Sequence, residues 1–207
     1  MTPRHAEIRA LAAVLTAVLV VALGCASSDR LLKVARTAPV PQERRDAMLH
    51  LRGRVRPDMR EGVEAVLLTD GDPATRALAA QALGDLADPA AAPALRRSLD
   101  GETYALVRQR ALEALVRLPN VPVAADLREV LAADRSDEVR AAAVRLSASA
   151  LDVSAATPLL LAALEDSSAL VRIEAQRSLR KLTGLDAPPD RARWEEALKA
   201  QQAQTTR

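Results

Sequence analysis

The chain has 207 residues, 49% of them hydrophobic, and 29 basic side chains against 27 acidic ones leave a formal net charge of +2. That balance, with no Phe, one Tyr and one Trp, excludes the clustered positive field and stacking aromatics of a nucleic-acid binder. A single Cys and two His leave too few ligands for a His/Cys metal centre, and the chain contains no Gly-rich phosphate loop.

The N-terminus comes first. Arg4 and Arg9 precede an uncharged apolar run from Ala10 to Leu23, followed by Gly24-Cys25. Fourteen residues are too few for a membrane span but suit the core of a signal peptide. Val21-Ala22-Leu23-Gly24-Cys25 resembles a bacterial lipoprotein signal, although Ala22 and Leu23 reverse the usual order. The resemblance implies cleavage after residue 24, lipid on Cys25, and an address at the outer membrane on its periplasmic side, since Ala26 is not the retaining aspartate. The alternatives are an ordinary secretory signal or a signal anchor. As the only cysteine, Cys25 has no disulfide partner in an oxidising compartment, so lipid attachment gives it a purpose. Residues 25–30 read as a short tether, under ~20 Å when fully extended, which sets the rest of the chain close to the bilayer.

From there the chain repeats. Arg44, Arg76, Arg108, Arg140 and Arg172 are spaced by 32 residues without drift. Three residues after each comes Ala47, Ala79, Ala111, Ala143 or Ala175, and thirteen before each comes Leu31, Val63, Leu95, Leu127 or Leu159. A fixed period of this size predicts a solenoid. Within a copy, Ala79, Ala80 and Leu83 form a stripe at helical spacing, as do Val63, Val66 and Leu67 in the preceding segment. Each copy is therefore two antiparallel helices. The turn between them carries Asp70, Glu102, Asp134 or Asp166, six residues before the arginine. Asp72-Pro73, Asp88-Pro89 and Thr157-Pro158 read as helix starts, Ser136 and Ser168 as caps, and Gly53, Gly84 and Pro119 as stops.

The acidic–x5–Arg–x2–Ala–x3–Leu pattern, best seen at residues 134–146 and 166–179, resembles the short bacterial HEAT repeat, of the PBS-lyase type. The resemblance implies an all-α, right-handed solenoid of about five 32-residue pairs over residues 31–185. It also implies that the arginines and turn acids hydrogen-bond between successive repeats rather than forming a ligand groove. Copy one departs, with a first helix confined to Leu31–Arg36 and no turn acid, and copy four carries Ser147 where the others have Leu. HEAT-like glycosylases, diiron hydroxylases and bilin lyases rely on features this chain lacks: a basic field, paired His-Glu motifs, cofactor residues. Beyond residue 24 the only histidine is His50, read as an exposed or capping side chain.

The last segment, residues 186–207, opens with Pro188-Pro189-Asp190 and predicts a capping helix from Arg191 to Ala200 with a polar tail. Trp194, Ala197 and Leu198 form its apolar face; Trp194 reads as a lid over copy five rather than as a partner anchor. The candidate partner surface is the position five after each arginine, Leu49, Gln81, Glu113, Arg145 and Arg177, which changes charge while the core does not. The sequence therefore predicts a non-catalytic envelope scaffold or adaptor with a protein partner, a membrane contact through the lipid on Cys25, and no cofactor, metal, nucleic acid or small-molecule substrate. The alternatives are an accessory or maturation subunit of an envelope enzyme and a purely structural envelope component.

Overall fold

The computed structural model describes residues 27–205. The signal segment and Cys25 lie outside the described residues. The described chain is all helix, turn and loop, without a strand. Five helix pairs follow one another: α1 (27–37) with α2 (Pro41–Leu51), α3 (Arg60–Thr69) with α4 (Pro73–Leu86), α5 (Ala92–Gly101) with α6 (Ala105–Arg117), α7 (Ala124–Ala133) with α8 (Asp137–Ala150), and α9 (Val153–Ala163) with α10 (Ala169–Thr183). A final helix, α11 (Arg191–Thr205), closes the chain. Second helices pack on second helices in the order α2, α4, α6, α8, α10, and the first helices α3 and α5, α7 and α9 meet in the same way. This arrangement is an α-solenoid.

Small side chains set the spacing. Ala79, Ala80, Ala111, Ala114, Ala142, Ala143 and Ala175 are fully buried, so adjacent second helices approach closely and the core is a run of shallow Ala–Leu–Val interfaces rather than one centre. Gly84 marks a close crossing of two backbones. A Cβ at this position would lie 2.9 Å from the Cα of Ala114 on α6. The sequence places a helix stop at Gly84, but α4 runs on to Leu86 and ends with Ala87 in the left-handed region at φ 54°. Close approach, not termination, explains that glycine. Gly53, at φ 68° just past α2, does end its helix.

Other boundaries also differ from the sequence reading. Asp72 caps α4 through the Thr75 N–H, and Ser136 caps α8 through the Val139 N–H. Ser168, in the same slot of α10, instead donates its Oγ–H to Asp137 Oδ2 at 2.8 Å, joining repeats five and four. Pro158 does not start α9; Asp152 caps that helix six residues earlier and Pro158 sits inside it. The first helix of repeat one is not confined to 31–36 but runs from 27 to 37, so residues 27–30 are helix rather than tether. The apolar pattern in Leu31, Leu32 and Ala35 marks the buried stripe of that helix, whereas polar residues 27–30 carry no sequence signal of their own. At the other end α11 extends to Thr205, five residues past the expected limit, with Gln201 Nε2 donating to the Thr183 carbonyl at 3.1 Å.

Candidate functional site: the arginine ladder and the second-helix face

The spacing of 32 residues has a direct structural meaning. Four of the five second-helix arginines reach forward to the turn acid of the next repeat. Arg44 Nε donates to Asp70 at 2.7 Å, Arg76 to Glu102 at 2.7 Å, Arg108 to Asp134 at 2.7 Å and Arg140 to Asp166 at 2.8 Å. In all four pairs Nη2 donates to the second carboxylate oxygen, at 2.7 to 3.0 Å. Nη1 turns back to the loop of its own repeat, donating to the carbonyls of Ala38, Asp70, Glu102 and Asp134. The carboxylates also accept from a backbone N–H two residues on: Asp72, Tyr104, Ser136 and Ser168. One guanidinium thus ties two consecutive turns together through a bidentate charged pair, which is why arginine rather than lysine keeps the beat.

The electrostatics follow from this geometry. The hydrogen bonds to Asp70, Glu102, Asp134 and Asp166 raise the four arginines above their already high range. Burial pushes Glu102 and Asp134 up, but the Arg76 and Arg108 hydrogen bonds and the nearby N–H donors outweigh it and hold both carboxyls below their usual range. The Arg140 hydrogen bond holds Asp166 low in the same way. The third rung is the most enclosed, with Arg108 and Asp134 side chains 5% and 7% exposed. An open hollow of about 450 Å³ beside it is lined by Arg96, Asp126, Glu129 and Arg135 among others. Within it Arg96 Nε donates to Asp126 at 2.8 Å and Arg135 Nη2 to the Thr103 carbonyl at 2.6 Å. The Arg96–Asp126 pair joins repeats three and four, and it escapes a search for period because no other copy repeats it.

Residues 28–116 match the family model of HEAT repeats. The match takes in α1 to α6. Beyond it the same rungs, Arg108–Asp134 and Arg140–Asp166, carry the HEAT-like register through repeats four and five. No curated protein matches the chain.

The five-after-arginine positions diverge in the structure. Leu49, Arg145 and Arg177 are exposed, whereas Gln81 and Glu113 are half-buried. Glu113 accepts from Gln109 at 2.9 Å and from Arg110 at 2.7 Å, and Arg145 Nη2 lies 3.9 Å from it. Arg177 donates to Glu174 at 3.1 Å with its side chain 72% exposed. Residues 113 and 145 are therefore partners within the helical array, and Arg145 and Arg177 carry the outward charge. The sequence reading did not pick out Leu106 and Leu170, exposed on the same helix face seven residues before Glu113 and Arg177. Two apolar residues two before the arginine, where repeats two and four have Ala74 and Glu138, were the available signal. His50 is exposed. Trp194 is fully buried, and its Nε1–H has no hydrogen-bond partner among the described residues. No described helix is long and apolar enough to cross a membrane, and no three His, Cys, Asp or Glu side chains among the described residues converge as around a metal ion.

Proposed function

We propose that the protein is a non-catalytic adaptor, anchored to the outer membrane of a cell envelope through lipid on Cys25, that binds a protein partner along its second helices. The observation that carries the reading is the contrast between a constant core and a varied outer face. Leu106, Leu170, Arg145 and Arg177 stand exposed on helices whose inner sides are mainly Ala, Leu and Val. Apolar side chains flanked by charge are the composition of a specific protein interface. HEAT repeats commonly serve as interaction scaffolds, which is the coarser statement that the family match supports. The anchor rests on the sequence alone, on the apolar run ending in Gly24-Cys25.

The test is a membrane pull-down with the full chain, its Cys25→Ala form, and an Arg145→Glu, Arg177→Glu form. The adaptor reading expects lipid on Cys25 by mass spectrometry and release of the Cys25→Ala chain from membranes. It also expects one dominant partner whose recovery falls about tenfold on double charge reversal. An unmodified cysteine removes the anchor, and recovery indifferent to the reversal removes the second-helix face.

A further inference from the structure

The five ladder arginines share the contact to their own turn but not the forward one. Arg172 Nη1 donates to the Asp166 and Ser167 carbonyls at 2.8 Å each, as its counterparts do in their repeats. Its Nε and Nη2, which in Arg44, Arg76, Arg108 and Arg140 hold the carboxylate of the following repeat, face no carboxylate among the described residues. The cause is the way the C-terminal segment turns back. Asp186 pairs with Arg180 at 2.6 Å, the Ala187 carbonyl accepts from Gln176, and Arg191 reaches Glu165 at the end of α9 at 2.8 Å. Residues 184–190 thus run back along α10, and α11 then lies on α9 in the reverse direction to a first helix, its Gln201 reaching the Thr183 carbonyl at the end of α10. It brings no acidic turn to the arginine.

The neighbouring side chain shows the same gap. The residue after the ladder arginine faces the next repeat: Ala77 and Ala141 are 5% exposed, and Gln109 is half-buried. In the last repeat it is Ile173, 57% exposed, with Leu170 beside it at 45%. α10 carries Arg172, Arg177, Arg180 and Lys181 against the single carboxylate of Glu174. An open guanidinium fork and an uncovered branched apolar side chain therefore meet on one turn of helix.

We propose that this end of the solenoid receives an acidic turn from a different protein: an Asp or Glu just ahead of a helix N-terminus, with an apolar residue that covers Ile173. The proposal rests on the adaptor reading and names where its partner docks. The chemistry is that of the four filled rungs, in which a carboxylate takes both forward N–H groups of the fork and accepts from a backbone N–H of its own turn. A second copy stacked head to tail does not supply it, because in that register the first repeat presents Ala38 where the others have Asp or Glu.

A photo-reactive residue at Ile173 of the full chain, with a second probe at Arg145 in a parallel strain, tests this in the cells that make the protein. The expected result is one crosslinked protein attached within about a helical turn of an Asp or Glu. Recovery is expected to fall about tenfold with Arg172→Glu, and equally when that partner acid is changed to Arg in an otherwise native pair. The second variant leaves the fold of this chain untouched, and combining the two reversals restores crosslinking. No adduct at Ile173, an adduct with a second copy of the chain, or an adduct indifferent to both reversals overturns the proposal. Capture at Arg145 without capture at Ile173 overturns end-on docking while leaving the adaptor reading in place.

Discussion

The enclosed charge pair of Arg108 and Asp134 is where a single atom group matters most. Removing the guanidinium leaves a buried carboxylate with only the Ser136 N–H and solvent to satisfy it. Arg108→Ala is expected to destabilise the fold by about 3 kcal/mol, read from urea unfolding. The pH dependence has a definite sign. Glu102, Asp134 and Asp166 have folded-state values lowered from 4.5, 3.8 and 3.8. Their stabilisation is therefore present above the unfolded values and lost as pH falls below about 4, through the lowered ones. Urea midpoints measured from pH 7 downward should drop across that window, and Asp134→Asn should flatten part of the drop. The sequence placed both partners of every rung at a fixed spacing, but not which acid meets which arginine: Asp134 serves Arg108 of the preceding repeat through its carboxylate and Arg140 of its own through its carbonyl.

Helices in this chain are limited by how closely their backbones can approach. Gly84→Ala forces its new Cβ against Ala114 at 2.9 Å. Overpacking of this kind costs about 1–3 kcal/mol, against roughly 0.5–1 kcal/mol gained from helix propensity. Net destabilisation is therefore expected, with partial recovery in the Gly84→Ala, Ala114→Gly pair. Ala87 provides the opposite case. It ends α4 at φ 54° and ψ 32°, a conformation that costs an L-residue with a Cβ about 1 kcal/mol, so Ala87→Gly should raise the unfolding midpoint. Neither site could be read correctly from sequence. A glycine near the end of a helical run signals a stop by default, and only the position of the neighbouring helix reveals a crossing.

At the scale of the whole molecule, stability passes from neighbour to neighbour, and the ends decide how much of it is kept. Trp194 seals the last repeat with its ring fully buried. Trp194→Ala is expected to cost about 3–5 kcal/mol and to speed amide exchange first in α9 and α10. Trp194→Phe, which also removes the unpartnered Nε1–H, should cost far less. A tryptophan serving mainly as a partner anchor would show the reverse: weakened binding and unchanged exchange.

The sequence by itself determined the all-helical class, the helix pairs, the buried stripes and the fixed spacing of arginine and turn acid. Each of these depends on local periodicity or on one fixed spacing, and both survive in a linear string. Only the tertiary structure decided that Gly84 is a contact, that Ser168 bonds Asp137 across repeats, that Glu113 and Arg145 face each other, and that α11 lies reversed on α9. Those features depend on where a second backbone passes, which spacing along the chain does not encode. The open fork of Arg172 is foreshadowed in the sequence, where the position of the next turn acid is Leu198, whereas the exposure of Ile173 follows from that reversal.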